Sequence, residues 1–145
     1  MKVACILLVS ILLGACAHFQ YPVQSELGAG RSVVFMDGAD DDCEQVGVVS
    51  GKIRQRNIDE AVGLALVAAR NKAAEREANV LVYDRVRYLR AFLDHSVLVA
   101  FDAYACPPVL QKSDVVPEQE VVAEVRLEAH EAASKASKRA AALLP

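Results

Sequence analysis

A chain of 145 residues has room for one small domain and an appendage, and not for two full domains. Sixteen basic against nineteen acidic side chains, a net charge of −3, argue against nucleic acid as a partner. The 54% hydrophobic content is inflated by the first residues, so the remainder is of ordinary composition.

Lys2 precedes an apolar run over residues 3–13 that only Ser10 interrupts, and Gly14, Ala15 and Cys16 follow. A positive start, a short apolar stretch and small residues before a cut describe a secretory signal peptide over residues 1–15. The run is little more than half of the about 20 residues that a membrane-spanning helix needs. Leu13-Gly14-Ala15-Cys16 resembles the lipobox of bacterial lipoproteins. That resemblance implies cleavage before Cys16, a diacylglycerol thioether on its sulfur and acylation of the new amino terminus. A plain signal peptide with an incidental Cys16 is the rival reading. Each buried CH₂ strengthens attachment by about 0.8 kcal/mol, so two or three chains hold where one is marginal. Ala17 stands where lipoproteins kept at the inner membrane carry Asp, which implies the outer membrane, facing the periplasm. Lys2 is the only charge that leaves with the leader, so the mature chain is one unit more acidic.

Residues 16–30 read as a lipidated N-terminus and short linker with Pro22, Ser25, Gly28 and Gly30, and residues 31–108 as the domain. Val33, Val34 and Phe35 place a strand over 31–36. Asp37-Gly38 turns the chain, and Asp40, Asp41 and Asp42 make a solvated corner before Cys43. Residues 45–53 are Val- and Gly-rich and read as a second strand, with Gly47 and Gly51 marking bulges or close backbone approach. Asn57 and Glu60 form a capping box ahead of a helix over 58–77. Ile58, Val62, Ala65, Ala69 and Ala73 fall at helical spacing on a broad small-residue face suited to packing on a sheet. Asn71 is expected to be a buried amide with a structural role, and Asn79 to take the left-handed conformation that ends the helix. Residues 80–85 alternate as a third strand, and 96–105 as a fourth with Val97, Val99 and Phe101 facing one way. Residues 87–95 between them read as a hairpin-like connection. The order β-β-α-β-β predicts an α+β fold: a small, mostly antiparallel four-stranded sheet with one packed helix.

Of four cysteines, Cys5 departs with the leader and Cys16 is lipidated. Cys43 and Cys106 remain, an even number in an oxidising compartment, and read as a disulfide joining both ends of the sheet. Neither sits in a CxxC, and a zinc site wants four nearby ligands. After Pro107-Pro108 the composition changes to a charged, Ala-rich tail over 109–145, helical or disordered. Its acids lead and its bases trail, which complements a helix dipole. Glu131 and Lys135 form a favourable i,i+4 pair. Val121, Val122, Val125 and Leu127 give it only a weak apolar face, so a solvated tail and a partner-docking helix both fit.

The pattern Cys43-Glu44-Gln45-x-Gly47, Gly51, Ala68-Ala69-Arg70-Asn71-Lys72-Ala73-Ala74, Ala78-Asn79-Val80 and Tyr104-x-Cys106-Pro107 falls in order within residues 27–107. It resembles a family of small Gram-negative envelope lipoproteins that share a domain of unknown function (the YjeI-like family). More distantly it is similar to the outer-membrane lipoproteins that sense stress for the Rcs phosphorelay. The resemblance implies a small sheet, one helix of this Ala/Asn character and disulfide stapling. Glu77 departs from the small residue usual in the family, and the single cysteine pair and short linker depart from the stress sensor.

Asp37, Asp40, Asp41, Asp42 and Glu44 do not follow the Asp-x-Asp-x-Asp-Gly order of a Ca²⁺ loop, so a solvated turn is expected there. Arg85, Arg87, Tyr88, Arg90, Phe92 and His95 interleave basic and aromatic residues. They form either the wet and buried sides of a hairpin or a contact surface for head groups, peptidoglycan carboxylates or an acidic protein face. His18, His95 and His130 are scattered, and GxSxG, HExxH, a Gly-rich phosphate loop and paired carboxylates are all missing from the sequence. No catalytic residue, metal or cofactor is therefore expected. These observations point to a non-catalytic envelope lipoprotein, a binding or stress-linked interaction module at the outer membrane. Its expected partners are the membrane through Cys16 and an envelope protein or peptidoglycan. Passive tethering through the tail is the alternative.

Overall fold

The computed structural model describes residues 28–91, 93–108 and 115–142. A 3-10 turn at Gly30–Ser32 leads into β1 (Val34–Met36), and β2 (Glu44–Gln55) follows the Asp-rich corner. Helix α1 (Ile58–Glu75), β3 (Val80–Ala91) and β4 (Asp94–Ala105) come next, then β5 (Val115–Val116) and a second helix, α2 (Glu118–Ala142). The strands form one sheet in the order β2-β4-β3-β1-β5. Helix α1 packs over β2 and β4, while α2 packs over β3 and β1 and against α1. Both helices bury side chains in one core with the inward residues of the sheet, centred on Phe101, Leu81, Val97 and Val99.

The class is α+β, and the detail differs from expectation. Five strands are present and the sheet is mixed, because β1 runs parallel to β3 from Val34↔Val80 to Met36↔Val82. Short β5 pairs antiparallel with the other side of β1. A parallel pair needs a long crossover, and here β2 and α1 together supply it. Residues 87–95 do form a hairpin between β3 and β4, but most of them are strand and not connection: β3 runs on to Ala91 and β4 starts at Asp94. The tail is helical over Glu118–Ala142, and its first half enters the core through Val121, Val125 and Ala129, exposed by 4%, 0% and 0%. An ion pair of Arg70 with Glu118 at 3.1 Å and a hydrogen bond between His130 Nε2 and Asp59 Oδ1 at 3.0 Å tie α2 to α1.

Local chemistry explains the element ends. The Asn57 side chain accepts from the backbone N–H groups of Asp59 and Glu60, capping α1. At the other end Glu77, not Asn79, is left-handed, with φ 62. Ala78 donates its N–H to the carbonyl of Ala73 at 3.0 Å, as in a Schellman closure. Asn79 is used elsewhere, in a two-way bond to the backbone of Cys106. Gly47 has φ +132 at the bulge in β2, a conformation that favours glycine. Asn71 is buried as expected, and a Cβ on Gly30 would meet its Oδ1.

Tyr83 links the sheet to α2 by donating to Glu128 at 2.6 Å. Burial foremost, and then this bond, raise its pKa above the ordinary 10.0. In the unfolded chain the phenol ionises at its ordinary value, so the unfolded state loses its proton first as the solution becomes alkaline. The stability Tyr83 contributes is thus complete below about pH 10 and declines above it. Tyr83→Phe is expected to flatten that alkaline decline, read as denaturant midpoints across about pH 9 to 11. Parallel profiles for the two proteins would refute it.

Candidate functional site

Cys43 and Cys106 are bonded, with S–S 2.02 Å across a sequence separation of 63. They lie directly beyond the Glu44↔Ala105 pair that ends the β2–β4 ladder. The bridge therefore clips one end of one strand pair and does not join opposite ends of the sheet. Closing a loop of this length stabilises the fold by about 4 kcal/mol in the chain-entropy model. The two-way Asn79 bond to Cys106 holds the neighbouring strand to the same point.

The sheet face turned away from both helices is the surface that stands out. Residues paired directly across neighbouring strands point to the same side. Phe101, Val99 and Val97 on β4 pair with Val49, Gly51 and Ile53 on β2 and face the helices. The alternate residues therefore face away. They form three rows across β2, β4 and β3: Arg54, Ser96 and Leu89; Lys52, Leu98 and Arg87; Ser50, Ala100 and Arg85. Four cations thus flank a central column of Ser96, Leu98 and Ala100. A fourth row, Val48, Asp102 and Val82, closes the patch near the disulfide end.

Two of the cations have acidic neighbours: Arg54 meets Asp94 at 3.0 Å, and Arg85 meets Asp84 at 3.4 Å. Lys52 and Arg87 pair with no carboxylate among the described residues. All four are exposed. A chain of net charge −3 thus carries one face whose three adjacent rows hold cations and no acid. Asp94 and Asp102 bound these rows at either end of β4, and Asp84 sits at the bulge in β3.

Of the sequence-derived contact residues, only Arg85 and Arg87 belong to this face. Tyr88 pairs with Val97 and points to the helix side, where its hydroxyl bonds His95 Nδ1 at 2.6 Å. Burial raises the Tyr88 pKa, and Arg90 opposes that shift. Arg90 pairs with His95 and shares that side. Cys16 and Phe92 lie outside the described residues. Lys52 and Arg54 were missing from the sequence-derived set, although the alternation of β2, with Val49, Gly51 and Ile53 inward, marks them as outward.

The acidic corner is a solvent-facing turn, with Asp37, Asp40, Asp41 and Asp42 exposed. Among the described residues no group of three His, Cys, Asp or Glu side chains is placed to hold a metal ion. A cleft between β1, β5 and α2 holds Asp37, Tyr83 and Glu124, but the Tyr83 hydroxyl is already committed to Glu128. No described helix is long and apolar enough to cross a membrane. No protein-family model matches this chain, and neither a curated protein nor a solved structure matches it.

Proposed function

We propose that this is an envelope lipoprotein without catalytic activity, anchored at the outer membrane through Cys16, that works by presenting the helix-free face of its sheet to an anionic partner. The observation that carries this reading is the charge pattern: Lys52, Arg54, Arg85 and Arg87 bracket Leu98 on the helix-free surface of an acidic chain, with Asp94 and Asp102 only at its two ends. Such a face steers and orients an anionic partner through its summed field. The anchored half rests on the lipobox-like residues ending in Cys16 and on the resemblance to envelope lipoproteins. The passive-tether alternative draws on the end of α2, where residues 137–142 are all exposed.

A photoreactive side chain at Ser96 of the full-length protein in intact cells tests the reading. A specific adduct is expected, lost in the Lys52→Glu, Arg87→Glu double variant and kept when Lys138 and Arg139 on α2 are reversed. An adduct indifferent to Lys52 and Arg87 would refute the cationic face. Loss of function on reversing Lys138 and Arg139 instead would favour the tether. Cys16→Ser releasing the protein from the membrane fraction tests the anchor separately.

A further inference from the structure

We infer that the anionic partner of this face is the bilayer surface itself, against which this face of the sheet lies with Leu89 and Leu93 seated among the lipids. The inference rests on the anchored, cationic-face reading above and names what that face meets.

Shape comes first. Successive same-face residues on a strand are about 7 Å apart, and strands two places apart lie roughly 10 Å from each other. The four cations therefore span a small, nearly planar quadrilateral. Every corner can approach a plane of phosphates within one Debye length, about 10 Å at 0.1 M salt. Long Lys and Arg stems can lie along apolar surface while their heads stay among charged groups.

The apolar component is at one end of the same face. Leu89 is 64% exposed and Leu93 71% exposed, higher than any other large hydrophobic side chain among the described residues. Leu89 shares its row with Ser96 and Arg54. Leu93 is at the hairpin turn, just beyond the Ala91↔Asp94 pair. Single exposed leucines need no explanation. Two at one end, beside Arg54 and Arg87 on the same face, reproduce the apolar-and-basic composition of elements that lie in a membrane interface.

Charge and chain length choose the occupant. A second copy stacked on this face would bring four cations against four cations with only Asp94 and Asp102 at the ends to offset them, so self-association is disfavoured. The chain between Cys16 and Gly30 spans at most roughly 50 Å when fully extended. An anchor on Cys16 therefore confines the domain close to the bilayer, where weak contacts become effectively intramolecular.

The chain contains no tryptophan, which allows a clean test. Leu89→Trp, Leu93→Trp and, as control, Leu127→Trp on α2 (Leu127 is 63% exposed) are each made in the full-length lipoprotein. Each is reconstituted into phosphatidylcholine vesicles with or without phosphatidylglycerol, and brominated lipid serves as the quencher. In the anionic vesicles the Leu89→Trp and Leu93→Trp proteins should shift to shorter emission wavelength and be quenched, and the Leu127→Trp protein should not. Molar salt, or Lys52→Glu with Arg87→Glu, should reverse this. Each cation near an anionic surface strengthens contact about fivefold, so reversing two moves the balance at least about 25-fold toward the free orientation.

Protein that floats with anionic vesicles while the tryptophans at positions 89 and 93 stay in water would overturn this inference. The anchor would survive, and the face would have to meet an acidic protein or peptidoglycan instead. Protein that neither floats nor is quenched would overturn the anchor as well. Quenching equal in both vesicle types would show an apolar contact that owes nothing to the cations, and would also defeat the proposal.

Discussion

Gly51→Ala is expected to destabilise the protein by about 3 kcal/mol or more, at or beyond the upper end of overpacking costs. A Cβ built at Gly51 would overlap the carbonyl oxygen of Ala65 and fall 2.6 Å from its carbon. These are backbone atoms of α1, so no side-chain rotation relieves the clash and the helix must move off β2. Ala61, Ala65, Ala69 and Ala73 on α1 are all fully buried, so the displacement would open the interface along the helix. A lowered denaturant midpoint with unchanged transition slope would register the loss. Gly28 is the comparison, since a Cβ there meets nothing within 4 Å and Gly28→Ala should leave the midpoint unmoved. Equal midpoints for Gly51→Ala and the parent would mean that α1 is not seated so closely on β2.

That close approach was legible in the sequence because small residues recur at helical spacing in α1 while glycines interrupt an otherwise Val-rich strand. The Asn57 cap and the inward run Val97, Val99 and Phe101 were legible for the same reason, being purely local signals. The course of β3 was not. Its inward residues are Leu81 and Tyr83 before the bulge and Val86 and Tyr88 after it. One extra residue, Asp84, shifts the alternation by one position there. A period-2 pattern read straight through that point dissolves into mixed charge and aromatics, and so resembled a connection. The same phase shift hid the surface, because it sends Arg85 and Arg87 to one face and Tyr88 and Arg90 to the other. The parallel pairing of β1 was illegible for another reason: a three-residue strand carries too little pattern to reveal its partner.

Helix α2 shows how little apolar sequence a packed helix needs. Its buried stripe is Val121, Val125 and Ala129, one residue per turn. It lies along the groove between α1 and β3, where both neighbours supply the remaining surface. Three residues at i, i+4 spacing look like a weak amphipathic tail when read alone, and that is how residues 109–145 looked.

Val125→Asp should therefore unfold the domain, not merely release a tail. Val125 is 0% exposed and belongs to the same core as Leu81, Phe101 and Leu66. Burying an unpaired carboxylate at that position costs several kcal/mol, against a total stability of about 5–15 kcal/mol for a typical domain. The expected result is a single cooperative transition shifted far toward the unfolded state, with hydrogen-exchange protection lost in β3 and β1 as well as in α2. Protection lost in α2 alone would mean that the sheet and α1 stand without it. The distinction matters for any deletion experiment. A chain ending at Pro108 removes this stripe together with Glu118, the partner of Arg70, and Glu128, the partner of Tyr83. Loss of function in such a chain would report a damaged core and could not be credited to a tether. A cut placed beyond Ala129, within the exposed last turns of α2, leaves the stripe whole and asks only what the end of the helix does.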